Sequence, residues 1–193
     1  MRAAHIIKVV RVAGAEQHLL TLLAGLRQRG IEPRLLLLVE PDKPMDDYAA
    51  LLAARALPVE RIPIYGDIDV TVIRRLAAAL RAFQPDVAHT HLLHADLYGI
   101  PAARLAGVPV VITSRHNDDA FRYRLPVRLV NRALWRGVDS AVTISDALTR
   151  FTIEVEGAPP NKVHRIYYGL DTAVPPLERA AARHSLLAEL HLP

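Results

Sequence analysis

The run Arg34-Leu35-Leu36-Leu37-Leu38-Val39 is apolar at every position after Arg34, and it decides the fold. A short continuous run of this kind predicts a strand that is buried on both faces, as in a parallel sheet covered by helices. Similar runs recur along the chain and predict seven strands, at residues 5–10, 34–39, 59–64, 86–91, 109–113, 140–144 and 163–167. Longer amphipathic stretches alternate with them and predict helices at residues 15–29, 46–56, 70–83, 95–106, 126–136, 145–156 and 176–190. The alternation predicts an α/β fold with a mainly parallel sheet of about seven strands flanked by helices.

The composition limits the class of protein. With 193 residues, 51% of them hydrophobic, the chain can form a sizeable core and is not disordered. It has no cysteine, which excludes disulfides, thiolate zinc sites and a cysteine nucleophile. Its apolar runs are shorter than the roughly 18 residues of a membrane-spanning helix, and Lys8 and Arg11 interrupt the first run, which argues against a secretory signal. A net charge of +4 does not indicate nucleic-acid binding but leaves anionic small molecules and anionic membranes open.

Prolines mark a change of organisation near the C-terminus. Pro175 and Pro176 interrupt the chain after the last predicted strand, and no strand pattern follows the helical pattern at residues 176–190. We therefore expect one domain over residues 1–174, and over residues 175–193 a linker and helix that lead to a further domain.

Histidines cluster where parallel sheets bind their ligands, beyond the carboxyl ends of the strands. His89 and His91 are two residues apart on a predicted strand, so their side chains share a face, and His91 lies at the strand's end. For each of these two residues, the alternative to a functional role is an ordinary buried histidine of the sheet. Together with His94 they also have a spacing compatible with metal ligands, but the nearest carboxylate, Asp96, is expected within a helix. We therefore expect no metal here.

The loop at residues 11–16 follows the first strand and leads directly into a helix. The N–H groups of a helix N-terminus suit a phosphate, and Gly14 lets the backbone approach a ligand closely. The alternative to a phosphate-binding loop is a plain tight turn without a ligand. Only one glycine of the G-x-G-x-x-G fingerprint is present, which disfavours a nucleotide-binding oxidoreductase, and no G-K-[ST] sequence indicates a P-loop.

Polar residues also follow the fifth predicted strand. Ser114, Arg115, His116 and Asn117 begin a polar loop that predicts recognition of hydroxyls and anions, with Arg115 suited to a carboxylate or phosphate. An ordinary solvated loop is the alternative. No serine lies in the G-x-S-x-G frame of a nucleophile elbow.

Four arginines recur at intervals of four residues beside apolar side chains: Arg124, Arg128, Arg132 and Arg136. On a helix they form a slanted basic stripe next to an apolar face. The stripe is either a solvated helix face or a patch that contacts anionic lipid or an anionic acceptor.

Five motifs in this order resemble the N-terminal domain of the family 4 (group 1) glycosyltransferases, which have the two-domain GT-B architecture. They are AGAE at residues 13–16, PDVAHTH at 85–91, VITSRH at 111–116, AVTISD at 141–146 and KVHRIYYGLD at 162–171. The sequence departs from the family pattern at two places. Ala13 stands where the family has the first glycine of its loop, and Tyr167 and Tyr168 stand where it has Pro-Asn.

The resemblance implies a Rossmann-like domain of a retaining enzyme that transfers a sugar from a nucleotide-sugar donor to a sugar or lipid-linked acceptor. It implies no obligatory metal or other cofactor, and no nucleic-acid partner. His91 is implied as the catalytic residue, in contact with the donor sugar. The residues that the resemblance assigns to donor or acceptor binding are Gly14, Ala15, Glu16, Ser114, Arg115, His116 and Asn117.

In the family a second domain holds most of the nucleotide, so we expect these 193 residues to be inactive alone. We expect a cytoplasmic protein, which is peripheral to the inner face of the membrane if the arginine stripe binds lipid. The alternative to an enzyme is a single-domain module that binds an acceptor or a partner without catalysis.

Overall fold

The computed structural model describes residues 1–66, 69–169 and 179–191. Its strands are β1 Arg2–Lys8, β2 Glu32–Val39, β3 Val59–Pro63, β4 Val87–His91, β5 Val110–Arg115, β6 Ser140–Thr143 and β7 Val163–Arg165. They form one sheet in the order β3-β2-β1-β4-β5-β6-β7, and every neighbouring pair is parallel. The predicted parallel α/β fold is therefore confirmed.

Helices connect the strands. They are α1 Gly14–Gln28, α2 Asp46–Ala53, α3 Val72–Phe83, α4 Leu92–Ala106, α5 Leu125–Leu134, α6 Asp146–Glu154 and α7 Arg179–Glu189. Each of these bounds lies within three residues of the prediction. Two differences affect the site: β5 ends two residues later than predicted, and α4 starts three residues earlier, directly after His91. The predicted boundary between residues 174 and 175 lies outside the described residues. No helix within the described part of the chain is both long and apolar enough to cross a bilayer.

The leucines of β2 show why the sheet forms its core on both faces. Leu35 and Leu37 pack with α1 and α2 on one face, whereas Leu36 and Leu38 pack with α3 and α4 on the other. All four side chains are buried, because successive residues of a strand point to opposite faces of the sheet. A continuous apolar run therefore serves both layers of helices.

A glycine brings α4 close to the sheet. A Cβ built on Gly99 would lie 2.7 Å from Thr90 Cγ2 and 3.0 Å from Ile6 Cδ1. Because those atoms belong to β4 and β1, α4 packs directly over the centre of the sheet. This contact holds the middle of α4 against the sheet, and the first residue of α4, Leu92, directly follows His91 at the carboxyl end of β4.

The strand order places a switch point between β1 and β4. The chain leaves β1 toward β2 and leaves β4 toward β5, so the two connections diverge to opposite sides. In open parallel sheets such a divergence leaves a crevice beyond the carboxyl ends of the strands. Here α1 and α4 begin on either side of that crevice.

Candidate active site

A cavity of about 430 Å³ opens at the switch point. The loop after β1, the first turn of α4 and the loop after β5 contribute to its walls, together with Tyr168, which follows β7. Its lining includes Arg11, Gly14, Ala15, Glu16, His94, His116, Asn117 and Tyr168. The loops after three neighbouring strands, which the sequence singles out separately, therefore meet in one place.

The N-terminus of α1 borders the cavity. The first N–H groups of a helix lack intrahelical partners and carry partial positive charge, so this end favours an anionic ligand. A Cβ built on Gly14 would meet no atom within 4 Å, so the space over this backbone is open. Glu16 has a different role: its Oε2 accepts a hydrogen bond from the Ala13 N–H at 2.9 Å. Glu16 therefore caps α1, a role that the sequence analysis did not predict.

A chain of hydrogen-bonded rings runs from the core to the cavity. His5 Nδ1 lies 3.0 Å from His91 Nε2, and His91 Nδ1 lies 3.1 Å from His116 Nε2. His116 Nδ1 is in turn hydrogen-bonded to the Tyr168 hydroxyl. His91 is fully buried and lies one hydrogen bond behind the cavity wall. Contact between His91 and a sugar stays a prediction; in this arrangement His116, and not His91, lies at the wall.

Burial keeps these imidazoles neutral. It is the main cause that lowers the pKa of His116 to about 3, and the nearby His18, Arg115 and Arg122 lower this pKa further. Burial also holds the pKa of His91 well below its ordinary value. A neutral imidazole has one N–H and one bare nitrogen. His116 uses both, toward His91 and Tyr168, so it presents an uncharged ring to the cavity and positions the Tyr168 hydroxyl there.

Arg115 belongs to a buried ion network, not to the cavity. Its Nε donates to Glu156 Oε2 at 2.6 Å, and its Nη1 donates to Asp96. Arg122 Nη1 also donates to Glu156, at 2.9 Å, and Arg122 Nη2 donates to Asn117 Oδ1 at 2.9 Å. Arg115 is 2% exposed and two carboxylates neutralise it, so contact between Arg115 and a ligand stays a prediction that this arrangement does not support. The network instead orients Asn117.

Ser114 likewise lies behind the cavity. It is buried, and its Oγ lies 2.7 Å from His89 Nε2. Of the predicted loop residues, His116 and Asn117 line the cavity, whereas Ser114 and Arg115 support them from behind.

A family model identifies the chain. The model of Glycosyltransferase Family 4 matches residues 12–174. The chain belongs to this family. The resemblance drawn from the five sequence motifs is therefore confirmed. No curated protein matches the chain at a significant level.

Solved structures share the fold of this family 4 domain. A structure of Anabaena Alr3699/HepE in complex with UDP-glucose has a TM-score of 0.72 at 15% identity, over 99% of this chain and 50% of that one. A glycosyltransferase from Rickettsia africae ESF-5 has a TM-score of 0.73 at 11% identity, over 100% and 50%. UDP-GlcNAc 2-epimerase from Neisseria meningitidis bound to UDP-GlcNAc has a TM-score of 0.61 at 12% identity, over 84% and 45%. The chain thus spans about half the length of these proteins and corresponds to the N-terminal half of the GT-B architecture.

The arginine stripe of the family 4 domain is only partly free. Arg124, Arg132 and Arg136 are exposed, whereas Arg128 is half-buried and its Nε donates to the Val155 carbonyl at 3.0 Å. None of the four arginines lines the cavity. The stripe is therefore a surface feature that is separate from the candidate site.

Three residues of the site were missed by the sequence analysis. Tyr168 was noted only as a departure from the family pattern, and His5 and Glu156 were not considered. The parallel register pairs His5 with His89, but a single sequence does not reveal which strands are neighbours. His94 lines the cavity from α4, apart from the cluster of His5, His89 and His91.

Proposed function

We propose that this chain is the N-terminal, acceptor-side domain of a retaining glycosyltransferase that uses a nucleotide-sugar donor and a sugar or lipid-linked acceptor. The observation that carries the proposal is the cavity at the switch point, where a helix N-terminus, His116 and Asn117 converge in a chain of glycosyltransferase family 4. Similar structures in complex with UDP-glucose and UDP-GlcNAc support the donor class.

Each group at the cavity has a part in the transfer. Asn117 and the Tyr168 hydroxyl, which the neutral His116 ring positions, hold sugar hydroxyls by hydrogen bonds. The N-terminus of α1 faces an anionic group of donor or acceptor. In the transfer, the bond from the anomeric carbon to the diphosphate breaks. A bond to the acceptor oxygen forms on the same face of the sugar, and the acceptor proton passes to the departing diphosphate.

A second domain outside this sequence supplies most of the groups that stabilise the diphosphate. Charge that develops on a leaving group requires donors placed around it in advance. We therefore expect the 193-residue chain alone to give negligible transfer from UDP-sugars. Robust turnover by the purified chain would contradict this part of the proposal.

The test is a transfer assay on the longer protein that contains this domain. His116→Ala is expected to lower kcat/KM about 100-fold, because it removes the ring that positions the Tyr168 hydroxyl at the cavity, and misplacement of a group at the site has an effect of that size. His164→Ala is the matched control, since His164 is an exposed histidine on β7. The anomeric configuration of the product, read by NMR, tests retention, and an inverted product would refute it. If the longer protein binds acceptor but transfers nothing, the binding-module alternative replaces the enzyme.

Helix α5 supports a second part of the proposal, contact with the inner face of the cytoplasmic membrane. Leu125 is 65% exposed and Leu129 is 54% exposed on its outer face, beside the exposed Arg132 and Arg136. Exposed apolar side chains among basic ones are typical of helices that lie in a membrane interface.

Liposome sedimentation tests this contact. We expect binding to anionic but not to neutral vesicles, weakened roughly fivefold by each Arg→Gln change, since a basic residue near an anionic surface contributes about 1 kcal/mol. Leu129→Gln is expected to weaken binding, whereas Leu105→Gln, at an equally exposed leucine on α4 (54%), is not. Equal and negligible sedimentation with both vesicle types would refute the contact.

A further inference from the structure

Three histidines from two strands meet on the face of the sheet that carries α1. His5 on β1 is paired in register with His89 on β4, and His91 lies two residues further along β4. Since side chains alternate between faces with a period of two, all three rings lie on the same face. One ring nitrogen from each lies within 4.8 Å of the other two.

The spacing within this cluster, hereafter the His5 cluster, fits a metal centre. His5 Nδ1 and His91 Nε2 are 3.0 Å apart, and two ligands of a tetrahedral zinc ion with bonds of about 2.0–2.1 Å are separated by about 3.3 Å. Rings of His89 and His91 are stacked with centroids 4.2 Å apart. Ligand nitrogens, one from each of the three rings, lie within 4.8 Å of one another, so the His89 ring turns toward the other two when an ion binds.

One ring of the cluster also lacks a full set of partners. His5 is 2% exposed, and its Nε2 has no hydrogen-bond partner among the described residues. Its other nitrogen, Nδ1, is the one that faces His91 Nε2. The cluster therefore contains a buried imidazole whose hydrogen-bonding capacity is only partly used.

Outer contacts fix the orientation of two rings. His91 Nδ1 lies 3.1 Å from His116 Nε2, and His89 Nε2 lies 2.7 Å from Ser114 Oγ. Metal-ligating histidines commonly use one nitrogen for the ion and the other for such a contact. His89 is half-buried, whereas His5 and His91 are buried, so His89 is the most accessible ring of the cluster.

We propose that His5, His89 and His91 bind one divalent transition-metal ion of the zinc class, through three imidazoles with one coordination position open. Three histidines and an open position are a known arrangement for zinc, and imidazole ligands discriminate against Mg²⁺ and Ca²⁺. An ion on His91 Nε2 leaves the His91 Nδ1 proton to donate to His116 Nε2. The site is thus a positioning device that sets the tautomer of the imidazole at the cavity wall, and it does not depend on the proposed sugar transfer.

The experiment is calorimetric titration of the metal-free chain with Zn²⁺, and titration with Co²⁺ followed by visible absorption. We expect one ion per chain, the intense absorption of tetrahedral Co²⁺, and no response to Mg²⁺. His89→Gln is expected to weaken binding about tenfold or more, and His164→Gln is expected to leave it unchanged. His89 is the least buried of the three, so its variant is the one suited to retain the fold, which circular dichroism checks.

Two results would overturn the site. The first is absence of Zn²⁺ and Co²⁺ binding by the wild-type chain at micromolar concentration. The second is binding that His89→Gln and His5→Gln leave intact while both variants remain folded, because the ion would then lie at an unrelated surface position.

Discussion

Glu156→Gln tests whether the buried ion network stabilises the domain. Glu156 is fully buried and accepts hydrogen bonds from Arg115 Nε at 2.6 Å and Arg122 Nη1 at 2.9 Å. Glutamine preserves the shape but removes the negative charge, so one buried guanidinium loses its only carboxylate in the network and the other keeps Asp96 alone. Breaking a buried ion pair from one side destabilises by about 3–5 kcal/mol.

That loss is a large part of a typical stability of about 5–15 kcal/mol. In a domain of this size each 1 kcal/mol shifts Tm by about 2–4 °C, so we expect Tm to fall by roughly 6–20 °C. Urea unfolding followed by circular dichroism measures the free energy, and thermal melting measures the shift. Glu154→Gln is the matched control, because Glu154 is an exposed residue two positions away and should change stability by about 0.5 kcal/mol at most. A change below about 1 kcal/mol for Glu156→Gln would refute the reasoning.

Two further substitutions test packing and charge elsewhere. Gly99→Ala is expected to destabilise by about 1–3 kcal/mol, because its Cβ would lie 2.7 Å from Thr90 Cγ2, whereas Gly25→Ala, with 3.5 Å to its nearest neighbour, is expected to be neutral or stabilising. Equal urea midpoints for the two variants would contradict the close packing of α4. For Asp69, a hydrogen bond from Thr71 is the main cause that holds its pKa below the ordinary value. A depressed carboxyl pKa stabilises the fold above the unfolded pKa of about 3.9 and ceases to do so as pH falls through the folded value. The difference in unfolding free energy between wild type and Asp69→Asn should therefore be constant from about pH 5 to 8 and shrink below about pH 4, and a difference that persists undiminished to pH 2 would exclude this role.

The fold follows from local patterns, which is why the sequence predicts it well. Apolar runs such as residues 34–39 indicate strands buried on both faces, and their alternation with amphipathic stretches indicates a parallel sheet. The rule that ligands bind beyond the carboxyl ends of parallel strands also finds the loops that hold Gly14, His116 and Asn117. Local patterns do not reveal the partner that a polar side chain finds in space. His5 is a clear case, because its neighbours on β4 are 84 and 86 residues away in sequence.

A more specific reason explains why the buried position of Arg115 was not predicted, and it is the predicted end of β5. The prediction ends this strand at residue 113 and treats the following residues as a loop, whereas the strand continues to Arg115. Within a strand, alternate residues point to opposite faces. Thr113 and Arg115 therefore both reach Asp96 on the α4 side, while Ser114 points the other way, to His89. Two extra residues of strand are enough to move a guanidinium from the expected ligand site into the core. They also leave His116, the first residue after the strand, as the group that meets the cavity.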